Sequence, residues 1–280
     1  MKQLEHKHII LTGAGAGIGE ATAYILAEQG ASLTLVDRNA DRIKAVANAV
    51  SERFGTPVQA IKSSLHNEKQ CQGVVEKHHK KYGVLDVLVH NASTMQGANT
   101  LTDFEGKQFE AMIKNNLYSL FCMTKAALPH LQSNPKEGLI LATGSISGIL
   151  GQPSQAPYAG TKAYIHAFIK TLASEQAANG VRANVVAPGP IATQMTQGKE
   201  DAVSAATPMG RRGTPYEIAY PIAFLCSDGA RYVNGEILTV DGGMVIGNGP
   251  VGKQASKKLS KEPDYPYPLL HQYDGDDMDS

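Results

Sequence analysis

The sequence predicts an α/β fold, a doubly wound parallel sheet of seven strands flanked by helices in a single domain. Two observations carry this. Seven short runs rich in Val, Ile and Leu recur along the chain, at 8–12, 32–36, 57–61, 84–89, 138–143, 181–187 and 236–240. Longer segments of helical period separate them: Ala21–Gln29, Ala40–Arg53, Glu68–Tyr82, Leu117–Leu131 and Tyr158–Ala178. Short, continuous apolar runs are what strands buried on both faces look like, and alternation with helices puts those helices on both faces of a parallel sheet. Gly30, Gly55, Gly83 and Gly180 follow helical segments at the C-cap, where a left-handed residue without a Cβ is favoured.

Composition limits the function classes. The chain has 280 residues, 42% hydrophobic and 19% charged, which suits one large core. Its 26 basic and 26 acidic residues leave no electrostatic footprint for nucleic acid or an anionic membrane surface. Cys71, Cys122 and Cys226 are widely spaced and lack metal-ligand spacing, so neither disulfides nor a metal site is expected. With no apolar stretch near the ~20 residues that span a bilayer, the expectation is a cytoplasmic protein without a membrane partner. Residues 1–247 read as the domain, and 248–280, rich in Lys, Asp, Pro and Tyr, as a tail outside the core.

The first strand runs into Thr12-Gly13-Ala14-Gly15-Ala16-Gly17-Ile18-Gly19, followed at once by a helical pattern. Glycines there permit a tight turn and let the backbone approach a pyrophosphate, whose charge the helix N-terminus favours. Placed after a first strand, this fits the Rossmann-type dinucleotide arrangement; the alternative is a tight strand-to-helix turn that uses glycine for its geometry alone. The second strand ends at Val36-Asp37, eighteen residues after Gly19, where such folds set an acid against the adenosine ribose. The alternative is a cap for the next helix. At ~4 Å and an effective dielectric of about 20, a carboxylate repels one unit of 2′-phosphate charge by about 4 kcal/mol before screening, so NAD is expected over NADP. Arg38 is the counterweight, since a guanidinium pairs well with phosphate.

Tyr158 and Lys162 stand four residues apart at the start of a helical segment, on one face. A nearby ammonium and a cationic nicotinamide ring both favour phenolate, so the expected Tyr158 pKa shift is downward by roughly 2 to 3 units. Ser145, thirteen residues upstream, ends the fifth strand at the sheet edge where ligands bind, and its hydroxyl can hold a substrate oxygen while Tyr158 exchanges the proton. The alternative for Ser145 is a loop hydroxyl satisfying its own turn.

With these residues in place, the chain resembles the short-chain dehydrogenase/reductase family, in its single-domain branch of about 250 residues, over residues 5–246. The resemblance rests on the loop Thr12–Gly19, Asn91-Ala92, Asn116-Leu117, Ser145, Tyr158-x-x-x-Lys162, Pro188-Gly189 and Asp241-Gly242-Gly243. It implies an enzyme with an Asn116, Ser145, Tyr158, Lys162 tetrad that moves a hydride between NAD(H) and a secondary alcohol or ketone. In that scheme Asn116, selected over Asn115 because it directly precedes Leu, holds a water linking Lys162 to solvent. The cofactor is held by Gly13, Gly15, Ala16, Gly17, Ile18, Gly19, Asp37, Arg38, Ser64, Leu65, Asn91, Ala92, Tyr158, Lys162, Pro188, Gly189, Ile191 and Thr193. Two departures stand out. His90 and Ser93 replace the family's Asn and Gly around Asn91-Ala92, and Ser64 stands where an acid usually meets the adenine.

Met95, Gln96, Ile149, Leu150, Gln152, Gln155, Met195 and Met209, the last two in a loop over 193–210, read as a mixed apolar and amide substrate lining. They suit a small-molecule alcohol or ketone. The rival within the fold is an NADPH-dependent 3-oxoacyl-carrier-protein reductase, disfavoured by Asp37 and by the single cation, Lys170, in 163–180. The rival of another class is a non-catalytic NAD-sensing or scaffolding protein. The family resemblance implies a homo-oligomer, with a tetramer expected. The Pro-spaced run 263–268 is read either as disordered or as lying over a neighbouring subunit, with Tyr265 and Tyr267 anchoring the tail on that partner.

Overall fold

The structure, a computed structural model, describes residues 2–193, 206–247, 258–261, 263–265 and 267–271. The seven strands are β1 (His8–Thr12), β2 (Ser32–Asp37), β3 (Val58–Lys62), β4 (Val87–His90), β5 (Gly138–Thr143), β6 (Val181–Pro188) and β7 (Ile237–Val240). They form one parallel sheet in the order β3-β2-β1-β4-β5-β6-β7. The helices are α1 (Gly17–Glu28), α2 (Ala40–Phe54), α3 (Glu68–Tyr82), α4 (Gly106–Met112), α5 (Ser119–Gln132), α6 (Ala156–Gln176) and α7 (Pro215–Cys226).

Successive strand residues feed opposite cores, as a pleat of period two requires. Ile9, Leu11, Leu33, Leu35, Val87 and Val89 pack with α1, α2 and α7 on one face. Ile10, Val36, Leu88, Ile140 and Val185 pack with α3, α5 and α6 on the other. Every residue of β4, β5 and β6 is buried, which is why these strands are largely apolar, with Arg182 and Asn184 of β6 buried on hydrogen bonds to the Val233 carbonyl. Each fully buried Ile or Leu contributes about 1.5–3 kcal/mol relative to an exposed one.

Local signals set the helix ends. Asn39 and Asn67 cap α2 and α3 through their side-chain oxygens, and Gly55 and Gly83 close the same helices in the left-handed conformation. The sequence reading did not mark α7, whose pattern Pro221 interrupts. Its start was nonetheless encoded: Thr214 and Glu217 form a reciprocal capping box, with Pro215 in the first turn. The segment read as one helix over Leu117–Leu131 is preceded by α4 and a π-helical turn at Ile113–Tyr118.

The sheet order reverses between β1 and β4, so their carboxyl ends diverge into a crevice. No described helix is long and apolar enough to cross a membrane.

Part of the tail, 263–265 and 267–271, lies among the described residues. Tyr265, Tyr267 and Leu269 pack against the chain's own core, on the face that carries α1 and α7. Their rings find partners within the subunit because that face presents Tyr24, Phe54 and Tyr216.

Candidate active site

The turn after β1 lies tight against the end of β4. A Cβ on Gly19 would overlap the Gly13 carbonyl oxygen, and one on Gly13 would stand 2.8 Å from the Ala92 Cα. Gly13 and Gly17 have φ of +63° and +53°, which favour glycine. Asn91 Nδ2 donates to the Gly13 carbonyl at 3.0 Å, and the Thr143 hydroxyl donates to Asn91 Oδ1 at 3.0 Å. Thr12 Oγ1 accepts from the Asn91 and Ala92 amides at 3.1 Å each. The ends of β1, β4 and β5 are thereby tied into one rigid rim, above which α1 directs its positive end.

Asp37 closes the far side of this rim. Its Oδ2 accepts from the Gly15 amide at 3.0 Å and its Oδ1 from the Asn39 amide at 3.0 Å. Asn39, not Asp37, supplies the oxygen that caps α2.

Tyr158 and Lys162 lie one turn apart on α6, both buried, with Lys162 Nζ 5.5 Å from the Tyr158 ring centre. Lys162 Nζ donates to the Thr143 carbonyl at 3.1 Å. Burial pushes the Tyr158 phenol up to about 12, against an opposing hydrogen bond from Ser145, and pushes the Lys162 ammonium down to about 7. Lys162 is not among the groups that lower it, so the downward shift expected of Tyr158 rests on the nicotinamide cation alone. Desolvation of the phenolate outweighs the Ser145 hydrogen bond.

Ser145 caps a short 3₁₀ turn. Its Oγ accepts from the Ser147 amide at 3.1 Å and donates to Ser147 Oγ at 3.2 Å. Ser147 Oγ is directed in turn at Gln152 Oε1 (2.8 Å) and Gln155 Oε1 (3.0 Å). These contacts meet the turn-satisfying reading of Ser145, and the same oxygen lies beside Tyr158.

Asn116 sits in the π-helical turn, fully buried. Its Oδ1 accepts from the Thr94 amide at 2.8 Å, and its Nδ2 donates to the Thr94 carbonyl at 2.9 Å and to Thr161 Oγ1 at 3.1 Å. It therefore braces the segment after β4 against the helix bearing Lys162. Asn115 bridges elsewhere, from the Ala111 carbonyl to His66 Nε2.

A cavity of about 880 Å³ runs from the glycine turn to the tyrosine. Gly13, Gly15, Ala16, Gly17, Ile18, Asp37, Arg38, Ser64, Leu65, Asn91, Ala92, Ser145, Tyr158, Lys162, Pro188, Ile191 and Thr193 all line it. Gly19, Gly189 and Asn116 do not. Gly19 supports the turn from behind, Gly189 packs on Asp241 with 2.7 Å available to a Cβ, and Asn116 stands behind Thr94. The volume and the close backbone cradle fit a dinucleotide.

His90 behaves as a buried hydrogen-bonded residue between Thr12 and Ser119, with burial and then Lys162 lowering its pKa to about 3. His166, one turn beyond Lys162, fills the space that Gly144 leaves, and burial lowers it to about 4. Ser64 Oγ donates to Gln70 Oε1 at 3.2 Å.

Of the expected substrate lining, only Met95 borders this cavity among the described residues, while Met195 lies outside them. Gln152 and Gln155 are engaged with Ser147, and Ile149 is 44% exposed. Sequence reasoning missed Arg42, Lys62 and Asn115, which line the cavity, and Ser147. A Ser two residues after Ser145 was the available signal for the last. It also missed His271, which borders the cavity from the tail and had no local signal.

A glycine cradle, an acid-terminated second strand and a Ser-Tyr-Lys group whose tyrosine and lysine are buried surround one cavity, the arrangement of a nicotinamide-dependent oxidoreductase. Residues 13–245 match a family described as enoyl-(acyl carrier protein) reductase. The chain is 37% identical over 251 residues to the 3-oxoacyl-[acyl-carrier-protein] reductase FabG of Thermotoga maritima, covering 87% of this chain and 100% of that one. It is 34% identical to an L-rhamnose 1-dehydrogenase (NAD(P)(+)) of a Sphingomonas strain, covering 88% and 99%. A 7α-hydroxysteroid dehydrogenase solved with NADH and 7-oxo glycochenodeoxycholic acid superposes with TM-score 0.81 at 31% identity, covering 86% of this chain and 95% of that one. The chain belongs to the short-chain dehydrogenase/reductase family. It is an oxidoreductase that interconverts hydroxyl and carbonyl groups with a nicotinamide cofactor.

Proposed function

We propose that this enzyme transfers a hydride between NAD(H) and a small secondary alcohol or ketone, with Ser145, Tyr158 and Lys162 handling the proton. The observation that carries the reading is that these three side chains border the same cavity as the glycine turn and Asp37. The cofactor, when bound, donates or accepts the hydride. Tyr158, held protonated by burial, gives its proton to a carbonyl oxygen and recovers it in the reverse direction. Ser145 holds that oxygen. Lys162 orients the ribose end and, with its pKa near 7, exchanges protons readily at neutral pH. Asn116 acts by positioning: both ends of its amide are engaged, bracing the segment after β4 against the helix that carries Lys162.

Asp37 favours NAD by accepting from ribose hydroxyls and repelling a 2′-phosphate. The supporting fact is its anchorage to Gly15 and Asn39, which fixes the carboxylate at the rim. Exposed Phe109, Tyr118, Phe121 and Tyr164 support assembly as a homo-oligomer, a tetramer in our reading, and three free cysteines support a cytoplasmic setting.

A second reading, reduction of a 3-oxoacyl thioester with NADPH, is favoured by Arg38, Arg42 and Lys62 bordering the cavity beside Asp37. Following NADH and NADPH absorbance with a ketone panel and with acetoacetyl-CoA separates the two. Turnover of simple ketones with NADH is expected. Faster turnover of the thioester with NADPH would replace our reading with the second.

A further inference from the structure

The tail reaches the cavity by a continuous set of contacts. Tyr265 stacks on Tyr216 with ring centres 4.9 Å apart. Tyr267 stacks on Tyr24 at 5.6 Å, meets Phe54 edge-on at 5.3 Å and lies 4.4 Å beneath the Arg53 guanidinium. Its hydroxyl donates to Glu28 Oε1 at 2.7 Å, and its carbonyl accepts from the Tyr216 hydroxyl at 2.8 Å. From there the chain runs back along α1 toward the glycine turn. The Leu270 and His271 amides donate to the Glu20 carboxylate at 2.6 and 3.1 Å. Glu20 is fully buried and lies three residues into α1 from Gly17, an axial rise of about 4.5 Å. His271 is thus fixed within about one turn of the helix N-terminus, and it borders the same cavity as Gly15, Ala16 and Gly17.

We propose that the tail is a strap completing the dinucleotide pocket, with His271 as a further cofactor-binding residue on the diphosphate side. The inference rests on the reading of this cavity as the dinucleotide site. An imidazole donates to phosphate oxygen, and here its backbone is pre-positioned by Glu20 while Tyr265 and Tyr267 anchor the approach. Aromatic stacking plus a cation over the ring gives such an anchor more strength than a surface loop of this length ordinarily has.

The test uses the full chain. NADH and ADP-ribose affinities are measured by calorimetry for wild type, His271→Ala and Tyr267→Ala, with thermal midpoints of the ligand-free proteins. His271→Ala is expected to weaken both ligands roughly tenfold, the scale of one charge-assisted hydrogen bond, without moving the midpoint. Tyr267→Ala is expected to weaken both at least as much, because the strap loses its anchor. Unchanged affinity in both variants overturns the proposal while leaving the cavity assignment intact. Loss with NADH but not ADP-ribose also overturns it, since the contact would then lie on the nicotinamide side. Failure of wild type to bind either ligand would instead overturn the cavity reading itself.

Discussion

Replacing Asp37 by Asn removes one charge from the rim while keeping the side chain's size. The carboxylate is held by the Gly15 and Asn39 amides at 3.0 Å each, so it cannot swing aside without breaking two hydrogen bonds. A 2′-phosphate about 4 Å away would meet about 4 kcal/mol of repulsion per unit charge at an effective dielectric of 20. Asp37 is half-buried, and Arg38, Arg42 and Lys62 border the same cavity, so screening reduces this to about 2 kcal/mol. That is roughly a thirtyfold shift of preference toward NADPH. Asp37→Ala should add a loss of NADH affinity of about tenfold, because the ribose acceptor goes with the charge. The assay is kcat/KM for NADH and NADPH with one ketone at fixed ionic strength, for wild type and both variants. A change of less than about threefold in the NADPH/NADH ratio for Asp37→Asn would refute the reasoning.

Three further outcomes are expected. Tyr158→Phe should lower kcat by at least roughly 100-fold with NADH affinity retained, checked by turnover and fluorescence titration; wild-type turnover would remove Tyr158 from the mechanism. Ser145→Ala should reduce kcat roughly tenfold to 100-fold and leave cofactor affinity alone, whereas a cofactor-only effect would make Ser145 a turn residue. Acid should destabilise the fold as pH falls from about 6.5 toward 4. His78, His90 and His166 are held neutral, at about 4, 3 and 4, so between those values and 6.5 the unfolded chain binds more protons and stability is lost as pH drops. The loss is about 2 kcal/mol per histidine at pH 5. Urea midpoints across pH 7 to 4.5 measure it, and a flat profile would contradict the burial argument.

The inner strands were legible because a parallel sheet covered on both faces buries nearly every side chain there, whereas edge strands β3 and β7 are only partly buried. β1 and β5 match their runs at both ends, and α3 does so among the helices. The glycine turn, Asp37, Ser145, Tyr158 and Lys162 were legible because spacing along one strand end or one helix face carries their geometry. The π-helical turn at Asn116 was not, since its register shift comes from how the segment packs against Thr94 and Thr161 rather than from local propensity.

The sequence by itself determined the architecture, the cradle and which strand-end and helix-face residues border the cavity, because these depend on periodicity and on neighbours a few residues apart. Tertiary structure alone decided how deeply Tyr158 and Lys162 are buried, because that is set by the whole fold around α6. It also decided where the tail goes. Tyr267 and Glu28 are 239 positions apart, and His271 and Glu20 are 251 apart, so no local pattern could announce contacts that exist only once α1 and α7 have formed the face that receives them.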